Sequence, residues 1–421
     1  MAGPTEMTAA RDGRALFGAA AEATPAAGRT TAAIGAGERA GSRQPRLAFL
    51  LTHTAPGGAQ ELWRDLAAAF AKRGWAVDLC ALYRTPEQTD PGDGRDWVCF
   101  APDRPASFGD KLAMARSLGR YLRHARPDAV VSALPLANVL GPLVGRFASP
   151  ATRFITSHHT PVQTHNRALD ALDGVVGTQP NVAAVVGVSR AVCDSLAGKP
   201  WRYRAKRATI LNALPPEVEE RLEMLRAARQ GRPRARRLVA TGRLAAQKNY
   251  GVLIRALAHM PDVELAIVGS GPDREQLEAL AAERGVASQV AFMGQRGRRE
   301  ALDILAAGDV FVQPSLFEGH SLGLIEAAKL GLPLVVSDVP VQVEGVTGPE
   351  GERCGIVVGA HDDEGLAREV RALLDDPKAY EAWASRASLL GAAARFETMV
   401  EGYETLVRAA LGARSPQHSN T

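Results

Sequence analysis

From Leu47 onward the chain repeats one pattern: a short apolar run, a turn, then a stretch of helical periodicity. Leu47-Ala-Phe-Leu-Leu51 reads as a buried strand, and Gly57 and Gly58 mark the turn after it. Ala59 to Arg73 then sets Leu62, Leu66, Ala69 and Phe70 on one helical face before Gly74 stops it. Ala76 to Leu82 gives the next strand, and apolar runs at Ala129–Ala133, Arg153–Thr156 and Ala184–Val188 are each followed by a helical stretch. Strands joined through helices run parallel, and both faces of such a sheet are covered. The pattern excludes a helical bundle and an antiparallel sandwich.

The series breaks after Ile210-Leu211-Asn212, where Pro215, Pro216, a charged stretch and the basic run Arg229-Gln-Gly-Arg-Pro-Arg-Ala-Arg-Arg237 intervene. That run reads as a solvated linker, with contact to anionic lipid or substrate as the alternative. A second series then begins at Leu238-Val-Ala-Thr241, with helices expected over Asn249–His259 and Pro272–Arg284 and a strand between them over Val263–Val268. It runs to about Ala394, and Phe396, Met399, Val400, Tyr403, Leu406 and Val407 mark an amphipathic terminal helix. The expected organisation is a disordered leader over 1–45, a Rossmann-like domain over 46–214, a linker over 215–236, a second Rossmann-like domain over 237–395, and a disordered tail over 413–421. The helix over 396–412 is expected to pack back on the first domain. The fold class is α/β, with two layered units facing a cleft.

A length of 421 residues agrees with two cores rather than one. With 50 basic and 46 acidic residues the net charge is +4, which permits phosphates or an acidic membrane surface as partners without demanding them. No nucleic-acid partner is expected. Cys80, Cys99, Cys193 and Cys354 lack metal-ligand spacing and read as buried free thiols of a reducing compartment. No apolar run approaches the ~20 residues that span a bilayer, and no secretory segment precedes Leu47. The expected location is cytoplasmic, including the inner face of the membrane.

Chemistry concentrates in Ser315-Leu-Phe-Glu-Gly-His-Ser-Leu-Gly-Leu-Ile-Glu326, between the strand patterns Val310–Gln313 and Leu334–Val336. Glu318 lies on the loop after a strand and Glu326 on the following helix, where open α/β sheets bind ligands. Amides from His320 to Gly323 open that helix and point unpaired donors outward, a cradle for phosphate. Glu326 can accept two hydrogen bonds from a vicinal diol such as a ribose, and Glu318 can meet a sugar or a phosphate-binding neighbour. In Thr241-Gly-Arg-Leu-Ala-Ala-Gln-Lys-Asn249, Arg243 and Lys248 emerge at the carboxyl end of the neighbouring strand and suit a diphosphate. Gly269 and Gly271 sit at another strand end, as a nucleotide contact or a plain turn. The amides of Gly57 and Gly58 can meet a phosphate or hydroxyl, or simply form a tight turn. His158 and His159 follow the Phe154-Ile-Thr156 strand, and a histidine there can donate to a substrate or shuttle a proton. Metal binding with His165 lacks acidic or cysteine partners, so no metal site is assigned.

Gly57-Gly58, Arg243 with Lys248, Gly269-Ser-Gly271 and Glu318-x7-Glu326, in this order, resemble the retaining GT-B glycosyltransferases of glycosyltransferase family 4. The likeness runs from about Leu47 to Ala410 and is strongest over Phe317–Ser337. The resemblance implies a nucleotide-sugar donor on the second domain and a saccharide or lipid-linked saccharide acceptor on the first. Arg243 and Lys248 would hold the diphosphate, Glu326 the ribose, and Glu318 would stand near the transferred sugar. The amides of Ser321 and Leu322 would hold phosphate or sugar, and Gly58 would approach from the first domain. His158 matches the family's active-site histidine, with His159 as the near alternative. No further cofactor and no metal is implied. His320 departs from the usual apolar residue and either alters sugar choice or sits at the loop surface. Val339-Pro-Val-Gln-Val-Glu344 replaces a frequent glycine-rich turn. Two other readings are a sugar-nucleotide epimerase or phosphorylase on a similar fold, and a donor-binding subunit without turnover.

Overall fold

The computed structural model describes residues 44–85 and 97–412. The tail expected over 413–421, and all of the leader expected over 1–45 except its last two residues, lie outside the described residues.

The first sheet contains β1 (Arg46–His53), β2 (Ala76–Tyr83), β3 (Val98–Cys99), β4 (Ala129–Ala133), β5 (Arg153–His158), β6 (Val182–Gly187) and β7 (Arg207–Thr209). All pairs are parallel and the order is β3-β2-β1-β4-β5-β6-β7. The second contains β8 (Arg237–Thr241), β9 (Glu264–Val268), β10 (Val290–Gly294), β11 (Val310–Gln313), β12 (Leu334–Ser337) and β13 (Ile356–Val358). It too is parallel, in the order β10-β9-β8-β11-β12-β13. Both sheets are doubly wound, and their order reverses between β1 and β4 and between β8 and β11. Loops leaving the carboxyl ends of those pairs diverge, which opens a crevice at each position.

Alternation along β1 explains why its whole run is apolar. Leu47, Phe49 and Leu51 enter one core with Trp63 and Phe70 of the Gly58–Lys72 helix. Ala48 and Leu50 enter the opposite core with Leu118, Phe154 and Tyr203. The terminal helix, Phe396–Gly412, adds Met399, Val400, Tyr403 and Val407 to the first of these cores. Each such buried side chain contributes about 1.5–3 kcal/mol, so the end of the chain is fixed to the first sheet after crossing from the second. Arg73 pairs with Glu397 and Glu404 on the same helix.

Three features differ from the sequence reading. Inside the expected linker, Pro216–Arg229 is a helix, begun by proline at its first position and carrying Glu217 and Glu219 in its first turn and Arg226 and Arg229 in its last. Its Val218 and Leu222 pack into a core of the second sheet with Leu302, Leu305 and Ile325. The basic run is not a free solvated segment either. Arg229 donates to the carbonyls of Ala306 and Gly308, Arg236 pairs with Asp262 and Asp375, and Arg237 pairs with Glu264. Cys80 and Cys354 are buried as expected, but Cys99 and Cys193 are only half-buried.

Candidate active site

The loops after β8 and β11 lie side by side at the crevice of the second sheet and are tied to each other. The Leu316 amide donates to the Gln247 carbonyl at 2.8 Å, and Gln247 Nε2 donates to the Phe317 carbonyl at 3.0 Å. Asn249 adopts the left-handed conformation (φ 53°) between a short 3-10 turn and the next helix. Its Nδ2 reaches the carbonyls of Pro314 at 3.1 Å and Ala360 at 2.7 Å. This frame fixes Lys248, whose Nζ donates to Glu318 Oε1 at 2.7 Å with side chains only 13% and 9% exposed. Gly242 permits the arrangement, since a Cβ there would stand 2.4 Å from Lys248 Cε. Lys248 is therefore not the open point charge the sequence suggests, but half of a sheltered pair. Arg243 does match that description: it is exposed and has no ion-pair partner among the described residues.

Across this pair begins the Leu322–Lys329 helix. Ser321 caps it, accepting from the Leu324 amide at 3.3 Å and donating from Oγ to Gln313 Oε1 at 2.8 Å. The amides of Leu322 and Gly323 have no protein acceptor among the described residues. Glu326, one turn on, is half-buried with no ion-pair partner within reach among the described residues. Burial pushes its carboxyl up to about 7, with Glu61 and Asp65 adding to the rise and Arg298 opposing it. Free amides and an exposed guanidinium thus stand on neighbouring segments at the carboxyl ends of β11 and β8, with the Glu326 carboxylate on the same helix as the amides. They are complementary to an anion joined to a hydroxyl-rich group.

Gly269 and Gly271 have a more local role. A Cβ on Gly269 would lie 2.0 Å from the Gly242 carbonyl oxygen, and one on Gly271 would lie 2.2 Å from that of Leu244. These glycines let the β9 loop close against the Arg243 loop, so they shape the site from behind.

The first sheet meets this crevice edge to edge. Gly57 and Gly58 are exposed at the start of their helix, with amides that donate to no protein acceptor among the described residues. A Cβ on Gly58 would contact Leu322 Cδ1 at 3.6 Å, and one on Gly319 would fall 2.1 Å from the His159 carbonyl oxygen. At Gly319 the backbones of the two halves therefore approach too closely for a side chain, whereas at Gly58 a Cβ would only be in ordinary contact with Leu322. Arg298 Nη1 reaches Asp65 Oδ2 at 3.0 Å across the same boundary. Glu344 accepts from the amides of Arg190 and Ala191 at 2.7 Å each, capping the Arg190–Ser195 helix from the other half. The segment that lacks the usual glycine-rich turn is thus a short helix, Pro340–Gly345, serving as an interdomain cap.

The two histidines separate. His158 ends β5 and is buried, its Nε2 2.9 Å from Tyr203 Oη, which donates to Asp173 Oδ2 at 2.8 Å. Its Nδ1 has no hydrogen-bond partner among the described residues, and burial lowers its pKa. His158 is thus the last residue of the strand rather than the first after it, with Nε2 turned to Tyr203 in the first layer. His159 is half-buried, edge-on to Trp63 at 5.1 Å, with Nε2 3.1 Å from Ser157 Oγ. Its carbonyl meets Gly319, so it is the histidine at the boundary between the halves. His320 is not at the loop surface. Its Nδ1 accepts from the Asn212 amide at 3.0 Å, and its carbonyl accepts from Asn212 Nδ2 at 2.8 Å. Burial depresses His320 to about 4, so it stays neutral and able to accept. Asn212, Arg298 and Glu344 were not singled out by the sequence, because their partners lie more than a hundred residues away in the chain. No group of three or more His, Cys, Asp or Glu among the described residues could hold a metal ion. No helix among them is long and apolar enough to cross a membrane.

Comparison with known proteins agrees with this geometry. The family model described as Glycosyltransferase Family 4 matches residues 56–216, and that described as Glycosyl transferases group 1 matches residues 226–389. The chain is 27% identical over 331 residues to the lipopolysaccharide core biosynthesis glycosyltransferase LpsD of Rhizobium meliloti, covering 76% of this chain and 86% of that one. It is 29% identical over 384 residues to D-inositol 3-phosphate glycosyltransferase 1 of Catenulispora acidiphila, covering 80% and 90%. Among solved structures, Anabaena HepE in complex with UDP and glucose aligns with a TM-score of 0.72 at 18% identity, covering 87% of this chain and all of that one. WaaG, a glycosyltransferase involved in lipopolysaccharide biosynthesis, aligns with a TM-score of 0.66 at 18% identity, covering 86% and 99%.

Proposed function

The chain belongs to glycosyltransferase family 4, with the GT-B fold, and from that premise we propose that it moves a sugar from a nucleoside diphosphate sugar to a hydroxyl acceptor with retention of configuration. The observation that carries the proposal is Arg243 on the loop after β8, the amides of Leu322 and Gly323 on the helix after the neighbouring β11, and Glu326 on that helix, all without an ion-pair partner or protein acceptor among the described residues. Arg243 and the amides hold the diphosphate and Glu326 accepts from the ribose. Lys248, steadied by Glu318, shares its remaining donors with the phosphate as negative charge builds on the leaving group. In the step itself the sugar carbon–phosphate oxygen bond breaks, the acceptor oxygen bonds to the same carbon from the same face, and the acceptor proton passes to the departing phosphate. No covalent enzyme intermediate is needed, in keeping with the engagement of Glu318 by Lys248. Contact between the two halves around Gly58 and Gly319 excludes water and limits hydrolysis.

The named relatives act on lipopolysaccharide core and on inositol phosphate, and we place the acceptor of this enzyme in the class of surface saccharides or glycolipids. Trp201, 67% exposed with the Arg202 guanidinium over its ring at 5.4 Å, supports a peripheral contact with an anionic membrane on the first domain. The reading is tested with Arg243→Ala. This exposed, unpaired residue should leave the melting temperature unchanged, while turnover on a nucleotide-sugar panel falls more than tenfold and thermal stabilisation by UDP, GDP or ADP is lost. Normal turnover in that variant would remove the diphosphate assignment.

A further inference from the structure

At the opposite edge of the second sheet lies a cleft of about 730 Å³ that the proposed transfer does not use. Arg226, Arg229, Arg232 and Arg234 line it with Ser385 and Ser388. Arg237 begins β8 and Asp309 immediately precedes β11, so the cleft sits at the amino ends of these strands, whereas Arg243 and Glu318 follow their carboxyl ends. A strand of five residues sets the two places roughly 15 Å apart or more.

Positive charge in this cleft exceeds its compensation. Only Asp309 and Glu381 contribute carboxylates to the lining. Asp309 Oδ2 already accepts from the amides of Ala235 and Arg237 at 2.8 and 3.0 Å, and Oδ1 lies 3.5 Å from Arg232. Glu381 is exposed and reaches Arg234 at 3.4 Å. Arg226 has no ion-pair partner among the described residues and donates only to Ser388 Oγ at 3.0 Å. The guanidiniums are also held in place. Arg229 is fixed by carbonyls at the end of the Arg298–Ala307 helix, and Arg234 lies over the Tyr380 ring at 4.0 Å. Gly331 keeps the floor open, because a Cβ there would stand 3.0 Å from Ser388 Oγ. Preorganised guanidiniums with hydroxyls among them match a phosphate group better than they match each other.

We propose that this cleft is a second anion site, which binds a phosphate-bearing group separately from the donor site. That group is either a soluble phosphorylated compound or the headgroup of a membrane lipid, which present the same oxygens to the arginines. The inference does not depend on the transfer reaction, since it concerns the other edge of the sheet. The probe is inorganic pyrophosphate titrated calorimetrically into the full chain at low salt, beside co-sedimentation with phosphatidylcholine vesicles containing phosphatidylglycerol. Two pyrophosphate sites are expected. Arg226→Gln with Arg232→Gln, both exposed positions, should weaken one of them at least tenfold and leave the other. Ser388→Asp, which sets a carboxylate beside Arg226, should do the same independently, and transfer activity should be retained in all of these variants. Loss of pyrophosphate binding with vesicle binding unchanged identifies a soluble phosphate compound. Loss of vesicle binding in the same variants identifies a lipid headgroup. A single pyrophosphate site that survives these substitutions together with no vesicle binding, or binding of both probes undiminished by them, overturns the proposal, whereas a single site that they abolish supports the cleft and counts against the donor-site reading instead.

Discussion

Removing the charge of Glu318 should destabilise the fold through Lys248 rather than through any loss of packing. Gln keeps the size of the side chain and one acceptor oxygen, so Glu318→Gln isolates charge. The pair is 2.7 Å apart, with side chains 13% and 9% exposed. At an effective dielectric near 20 the Coulomb attraction at that distance is about 6 kcal/mol. Desolvation of both ions offsets much of it, yet stripping one partner leaves a buried ammonium uncompensated, at a cost of about 3 kcal/mol. Lys248→Met should cost a similar amount by stranding the carboxylate. The double variant should then cost much less than either single variant, about 0–1 kcal/mol, because it leaves no stranded charge. Urea unfolding followed by tryptophan fluorescence reads these costs in the transition of the second domain. A companion measurement ties the result to the site. Saturating nucleoside diphosphate should stabilise Glu318→Gln more than wild type, since phosphate takes over the role of the missing carboxylate. Additive single-variant costs, or equal stabilisation of both proteins by the nucleotide, would refute the assignment of this pair as the charged floor of the donor site.

Glu326 gives a pH signature. Its carboxyl stays protonated to about 7 in the folded protein but ionises near 4.3 once unfolded, so stability should fall as pH rises between those values and level off above. For a half-buried group the drop is on the order of 1–2 kcal/mol. Glu326→Gln should flatten that part of the melting-temperature profile, while donor affinity, which needs the ionised diol acceptor, rises through pH 7 only in wild type. A profile unchanged by the substitution would place the titration elsewhere. Glu344→Ala removes two charge-assisted hydrogen bonds of 2.7 Å between the halves, worth about 1–2 kcal/mol in this half-exposed setting. It should lower kcat/KM about fivefold to thirtyfold and enlarge the radius of gyration measured by X-ray scattering. Wild-type values of both would show that the cap does not hold the halves together.

The layered fold was legible because it rests on local periodicity. Runs such as Leu47–Leu51 and Val310–Val312 are apolar at every position, as a strand covered on both faces requires. The crevice was legible for the same reason, since the end of a parallel strand predicts where a loop emerges. Partnerships were not. Lys248 and Arg243 look alike in sequence, yet one is bound to Glu318 and the other is open, and the difference comes from a contact seventy residues along the chain. The basic run looked solvated because composition does not reveal that carbonyls at the end of another helix and scattered carboxylates would gather its arginines.

The histidine question shows how small the deciding quantity is. The apolar pattern ends at Thr156, which suggests that both histidines lie beyond the strand, with His158 nearest the crevice. The hydrogen-bonded ladder continues further, pairing Ser157 with Val186 and His158 with Gly187. Side chains alternate along that extension. Phe154 and His158 therefore share a face with Tyr203, while Ile155 and Ser157 share the other with Tyr403. Two added ladder pairs, stabilised by neighbours that sequence periodicity cannot see, bury His158 against Asp173 and leave His159 as the residue whose backbone meets Gly319. Which histidine lies within the first layer and which meets the other half is thus set by strand length and not by residue type, and it follows from the position of β6 more than from any motif in β5.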